Sequence, residues 1–200
     1  GYNREGRGFL LDFSPEINYH KHYINRYAFL FNEYIGNKYV YLPELSLRHT
    51  GQKTFQFDNS HKTIALYLGG ENKEFRKYPD EYAVQLLRLL NRQGYNLLLI
   101  GDENDNIKHT QYAEEARIDH LINLTARTTI EGFINTIANV DLIITIDSSA
   151  LHIAAAVKTP FIALMGLSTS PTSTNLPKVP LGRILKKENN LIPEEDYIPN

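Results

Sequence analysis

The chain has 200 residues, enough for one large domain or for one domain with part of another. Hydrophobic residues make up 42% and charged residues 22%, and 21 Lys and Arg stand against 23 Asp and Glu for a net charge of −2. That balance belongs to an ordinary globular protein and excludes a nucleic-acid binder driven by phosphate neutralisation. The absence of Cys excludes disulfides, thiolate metal sites and a Cys nucleophile, and suits a reducing compartment. No apolar run approaches the about 20 residues of a helical membrane span. The start, Gly1-Tyr2-Asn3-Arg4-Glu5-Gly6-Arg7, has neither an apolar signal core nor an initiator Met, so it reads as a processed or cut chain.

The first 60 residues are rich in Tyr, Asn, His and Phe and predict one helix, over residues 20–34, with Tyr23, Tyr27, Leu30 and Tyr34 on its apolar face. Ile35-Gly36-Asn37 ends it. Residues 48–62 are polar and read as a linker, which puts a domain boundary near Asn59 and divides the chain into 1–59 and 60–200. From Lys62 onward the pattern is regular. Residues 63–68 predict a strand followed by Gly69-Gly70, and Pro79 opens a helix that Gly94 closes. Residues 96–100 predict a strand, 104–116 a polar helix with a solvent-facing His109, and 121–124 a short strand.

Thr128 and Glu131 have capping-box spacing before a helix lined by Ile130, Phe133, Ile134 and Ile137. Leu142-Ile143-Ile144-Thr145-Ile146 has the all-apolar, β-branched character of a strand covered on both faces. A small-residue helix over 149–157 and a strand over 161–164 follow, and the tail from Lys186 to Asn200 is polar with no helical period. Five strands alternating with four helices define the fold class: α/β, a Rossmann-like parallel sheet with helices on both faces.

Ligands of such sheets bind beyond the carboxyl ends of the strands. The most informative strand end is Asp147-Ser148-Ser149-Ala150-Leu151-His152, where a buried strand meets a helix directly. Amides at a helix start carry about half a positive charge and favour an anion, Ser148 and Ser149 add hydroxyl donors, and His152 lies one turn in. The same residues also read as an ordinary N-cap and a satisfied helix-face histidine. Gly69-Gly70 allows close backbone approach but also serves as a simple turn, without the Gly-x-Gly-x-x-Gly fingerprint. Lys73, Arg76 and Lys77 in the same loop read either as solvated charges or, for Arg76, as a bidentate grip on phosphate oxygens. Asp102, Glu103 and Asp105 read as stabilisers of the following helix start more readily than as metal ligands, because no His-x-x-x-His pair is present. No Gly-x-Ser-x-Gly elbow and no Walker loop occurs.

Taken in order, Arg76-Lys77-Tyr78-Pro79, Thr129-Ile130, the run from Asp147 to Ala156, then Pro160 and Phe161-Ile162-Ala163-Leu164-Met165-Gly166 resemble the C-terminal half of glycosyltransferase family 9, the bacterial heptosyltransferases, over about residues 62–171. The family pattern has Lys-x-Trp-Pro, Asp-Ser/Thr-Gly-x-x-His and Gly-Pro-Thr. This chain has Arg76 for the Lys, Tyr78 for the Trp, Ser149 for the Gly, and Leu167-Ser168-Thr169 for the Pro-Thr turn. The resemblance implies one half of a GT-B architecture. Residues 1–59 would be the remnant of the N-terminal acceptor domain with its linker helix, and residues 60–200 the C-terminal nucleotide-sugar-binding domain.

The same resemblance implies an inverting transfer of a sugar, typically an ADP-linked heptose, to lipopolysaccharide core or another cell-envelope glycan, with no cofactor and no metal. The donor-binding residues it implies are Gly69, Gly70, Arg76, Glu103, Asp147, Ser148, Ser149, Ala150, Leu151 and His152. The catalytic carboxylate base is expected in the N-terminal domain, most of which is not in this chain, so the isolated chain is expected not to transfer sugar. Partners would be a nucleotide-diphosphate sugar and a glycolipid or glycan acceptor, and no nucleic acid. The location would be the cytoplasm, with peripheral contact at the inner face of the bacterial membrane left open. A non-catalytic nucleotide- or sugar-binding module of the same fold and a nucleotide-sugar epimerase are the alternatives.

Overall fold

A computed structural model describes residues 2, 6–15, 23–36, 46–69, 77–166 and 182–186. The chain divides into two compact units, one of residues 1–44, 170–176 and 190–200, the other of residues 45–169 and 177–189. In the first unit helix α1 spans Tyr23–Ile35 and ends at Gly36, whose positive φ of 68° suits a glycine helix stop. Tyr34, expected on the apolar face, is 70% exposed and meets Phe13 edge-on at 5.6 Å.

The second unit is a six-stranded, wholly parallel sheet. Its strands are β1 (Thr63–Tyr67), β2 (Asn96–Leu99), β3 (Leu121–Asn123), β4 (Leu142–Ile146), β5 (Phe161–Met165) and β6 (Gly182–Lys186), in the order β3-β2-β1-β4-β5-β6. Helices α2 (Asp80–Arg92), α3 (Asn106–Ala116), α4 (Ile130–Ala138) and α5 (Ser149–Val157) make the crossovers. Every residue of β1 and β2 is buried, because helices cover both faces. Ile64, Leu66, Leu97, Leu99 and Ile144 pack with Ala83, Val84 and Leu87 of α2 and with Tyr112 and Ala116 of α3. On the other face Tyr67 meets Phe133 of α4 edge-on. Leu66, Leu87 and Leu97 are fully enclosed, and each such side chain contributes about 1.5–3 kcal/mol through removal from water. Among the described residues no helix is long and apolar enough to cross a membrane.

Four expectations need correction. The boundary near Asn59 falls instead at residue 45, since the expected linker is bound to the sheet unit. Thr50 and Asn135 exchange two hydrogen bonds of 3.1 and 2.9 Å, Thr54 Oγ1 lies 2.6 Å from Thr136 Oγ1, and Asn96 Nδ2 donates to Asn59 Oδ1 at 2.7 Å. The cap of α4 is Thr129, whose hydroxyl accepts the Gly132 N–H at 3.1 Å; the helix begins one residue later than the Thr128 box requires, and Ile130 is 83% exposed. His109 is buried, not solvent-facing. Finally, β6 extends the parallel sheet where no strand was expected. Its Gly182 is one residue that fits, since any Cβ there would overlap the Phe161 ring. The tail beyond Lys186, Gly70, Lys73, Arg76 and the turn at 167–169 lie outside the described residues.

Candidate nucleotide-diphosphate site

The strand order reverses between β1 and β4, which are paired from Ile64↔Leu142 to Tyr67↔Thr145. Chains leaving these two strands turn to opposite faces, and the crevice between them is where doubly wound sheets bind ligands. Gly69 leaves β1 on one side of this crevice, and Asp147-Ser148-Ser149 leaves β4 on the other. The sequence-chosen segment from Asp147 to His152 thus lies at the switch point.

Ser148 occupies the N-cap position of α5 with extended backbone, φ −145° and ψ 174°, yet its side chain accepts no helix amide. Its Oγ lies 2.9 Å from Thr145 Oγ1. Thr145 gives its own proton to the Ile146 carbonyl at 3.0 Å, so Ser148 is the donor of the pair. The hydroxyl faces back along β4 and does not cap the first amides of α5. These amides carry the positive end of the helix dipole and are suited to an anion. Ala150 and Leu151 are buried core residues, so what Ala150 offers a ligand is backbone N–H, while the Leu151 N–H donates to the Ser148 carbonyl at 3.2 Å; Ser149 is exposed. Asp147 is buried beside this turn. Burial lowers the pKa of the half-buried His152 and the Asp147 carboxylate opposes that shift, so the imidazole is neutral at pH 7.

On the β1 side the space next to Gly69 is filled from within the molecule. A Cβ on Gly69 would overlap the carboxylate of Asp105, which is 2% exposed. Asp105 and Asp102 form a reciprocal capping box on the 3₁₀ turn Glu103–Asp105: Asn104 N–H donates to Asp102 Oδ1 at 2.8 Å, and Asp102 N–H to Asp105 Oδ2 at 3.3 Å. The expected helix-stabilising use of these carboxylates is therefore present, and Glu103 is left exposed at the end of β2. Burial, reinforced by the charges of Asp105 and Asp102, pushes the Tyr67 hydroxyl far above its usual pKa.

Lys77 is tied to Asp80 at 3.0 Å, and Lys108 Nζ and the Tyr112 hydroxyl converge on the same carboxylate. This network fixes the start of α2, and it holds Asp80 at about pKa 2 against the opposing, leading effect of burial.

Sequence reasoning did not single out Tyr67, Thr125 or Asp80, and it placed His109 in solvent. The signal was present in part, because Asp105 and His109 are four residues apart and face one way on a helix. Among the described residues no group of three or more His, Asp or Glu side chains is gathered as a metal site. A separate open hollow of about 850 Å³ lies at the amino-terminal edge of the sheet, lined in part by Phe55, Phe57, His61, Asn96 and Asp141, and shares no residue with the strand-end site.

A 3-2-1-4-5-6 parallel sheet, with the start of α5 at its switch point, defines a Rossmann-like α/β domain. The family model for glycosyltransferase family 9 (heptosyltransferase) matches residues 1–195, and the chain belongs to that family. It is 35% identical over 114 residues to lipooligosaccharide heptosyltransferase 2 of Haemophilus influenzae, covering 56% of this chain and 33% of that one. The solved E. coli ADP-heptose LPS heptosyltransferase II superimposes with a TM-score of 0.56 at 25% identity, covering 62% of this chain and 38% of the other. An E. coli heptosyltransferase solved with ADP shares the fold over 91% of this chain and 55% of its own length, with a TM-score of 0.60 at 17% identity. The chain spans about a third of the length of the curated relatives it matches.

Proposed function

We propose that the carboxyl edge of this sheet is the donor site of a heptosyltransferase, receiving an ADP-linked sugar for transfer to a lipopolysaccharide-type acceptor. The observation that carries the reading is the first turn of α5: the Ser148 hydroxyl turns away to Thr145 instead of capping its amides, and Asp147 and His152 stand beside it. As the sugar leaves, negative charge grows on the diphosphate. Fixed amides at Ser149 and Ala150 stabilise that charge without reorganising, and Arg76 is the cation that the sequence pattern offers for a charge-assisted bond to it. Neutral His152 has an N–H to donate to the same group, and Asp147 is suited to a sugar hydroxyl. Exposed Glu103, in the turn after β2, is the acid this reading assigns to the ribose hydroxyls, as an acidic group after a strand serves in doubly wound sheets.

In this reading the acceptor hydroxyl attacks the anomeric carbon from the face opposite the diphosphate and inverts it. The proton from that hydroxyl passes to a base on the acceptor side, and the chemistry calls for no cofactor. The reaction would take place in the cytoplasm, at the inner face of the membrane that holds the acceptor.

The test is a melting panel of the 200-residue chain with ADP, UDP, GDP and CMP. ADP at about 100 times its dissociation constant should add about 2.7 kcal/mol of stability. Arg76→Ala and His152→Ala should each reduce the gain. Equal stabilisation by all four nucleotides, or by none, counts against the reading.

A further inference from the structure

His109 is wholly enclosed, yet it does not behave as a simple core filler. Its Nδ1 lies 2.7 Å from Thr125 Oγ1, while Nε2 is buried with no hydrogen-bond partner among the described residues. The ring packs on Gly101, where any Cβ would meet Cε1 at 3.2 Å and Asp105 Oδ2 at 2.8 Å. Burial pushes the imidazole down to about pKa 4, with Asp105 and Asp102 opposing. An apolar side chain would fill the same space without leaving a buried nitrogen unsatisfied, so the imidazole costs stability that packing alone does not explain.

What the ring does is join two loops. Thr125 follows β3, and Gly101 follows β2. Beside Thr125, Ala126 is held at φ 58°, a left-handed conformation strained for a residue with a Cβ. Its N–H donates to the Gly101 carbonyl at 3.1 Å, and Thr125 N–H donates to Asn123 Oδ1 at 3.0 Å. The strained turn is thus fixed by Gly101 on one side and by His109 through Thr125 on the other.

We propose that His109 is a positioning residue for the nucleoside half of the donor site, its Thr125 contact holding the loops after β2 and β3 where base and ribose are received. The proposal rests on the donor-site reading above. With the diphosphate at the start of α5 beside β4, the ends of β1, β2 and β3 run away from it in steps of about 4.8 Å. The exposed acid Glu103 lies among them. These ends form the side of the crevice open to a nucleoside.

The experiment compares the wild-type chain with His109→Leu, His109→Asn and Thr125→Val. Calorimetry measures affinity for ADP and for inorganic pyrophosphate, and hydrogen exchange follows residues 124–127. Asn places an amide nitrogen near the position of Nδ1, whereas Leu and Val remove the contact from either side. His109→Leu and Thr125→Val should weaken ADP about tenfold and pyrophosphate by no more than about twofold, with faster exchange at Ala126. His109→Asn should restore most of the loss. If His109→Leu does not fold, Thr125→Val decides the question. Unchanged ADP affinity in folded variants, or equal loss of ADP and pyrophosphate, overturns the proposal. A wild-type chain that binds neither ligand overturns the donor-site reading itself and the proposal with it.

Discussion

Ser148 Oγ lies 2.9 Å from Thr145 Oγ1, so the hydroxyl at the head of α5 faces its own strand and does not cap the helix amides. An N-cap serine replaced by alanine ordinarily costs about 1 kcal/mol. Here the cap is not formed, so Ser148→Ala should cost clearly less than that. Thr129→Ala should show the full cost, because Thr129 Oγ1 does accept the Gly132 N–H. Urea unfolding of both variants measures the contrast. A Ser148→Ala loss equal to that of Thr129→Ala would mean that the hydroxyl caps α5 after all.

Gly69 is required by its neighbour. A methyl group there overlaps the Asp105 carboxylate, which is enclosed and has nowhere to go without breaking its cap on Asp102 N–H. Gly69→Ala should destabilise by about 1–3 kcal/mol through overpacking. Combining it with Asp105→Ala should cost less than the two losses added together, since the second change removes the group the methyl strikes. Simple additivity in a double-mutant cycle would dissociate the two residues.

The depressed pKa of His109 has a sign that can be measured. In the unfolded chain the ring titrates near 6.5, and in the folded chain near 4. Between these values the unfolded state holds a proton that the folded state lacks, so stability rises with pH. The contribution is complete above pH 6.5, falls as pH drops toward 4, and is constant below that. From pH 7.5 to pH 4.5 the wild type should therefore lose on the order of 2 kcal/mol more than His109→Asn. Parallel losses in the two proteins would show that the ring is not held neutral.

Much of the sheet was legible because its strands are short apolar runs separated by helices of clear period. β1, β2, β4, β5 and α5 stand within one or two residues of expectation. The Asp147–His152 segment was legible for the same reason, since a strand buried on both faces handing directly to a helix places its junction at the carboxyl edge. β6 was not, because an edge strand reading Gly182-Arg183-Ile184-Leu185-Lys186 has no distinctive pattern until its partner Phe161 is known. His109 was misread because a polar helix suggests a solvated face, and nothing local reveals that Thr125, 16 residues on, returns to meet the ring. The boundary failed similarly, because the polar side chains of residues 48–62 that suggested a linker are the ones that bond to Asn135, Thr136 and Asn96.

The account stands on α5 as the diphosphate cradle, and an amide-resolved NMR titration of the chain with ADP addresses it directly. The largest shifts should fall on the Ser149 and Ala150 amides, with inorganic pyrophosphate reproducing them and Ser148→Ala leaving them in place. Binding of ADP that leaves those two amides unmoved while residues elsewhere respond would contradict it.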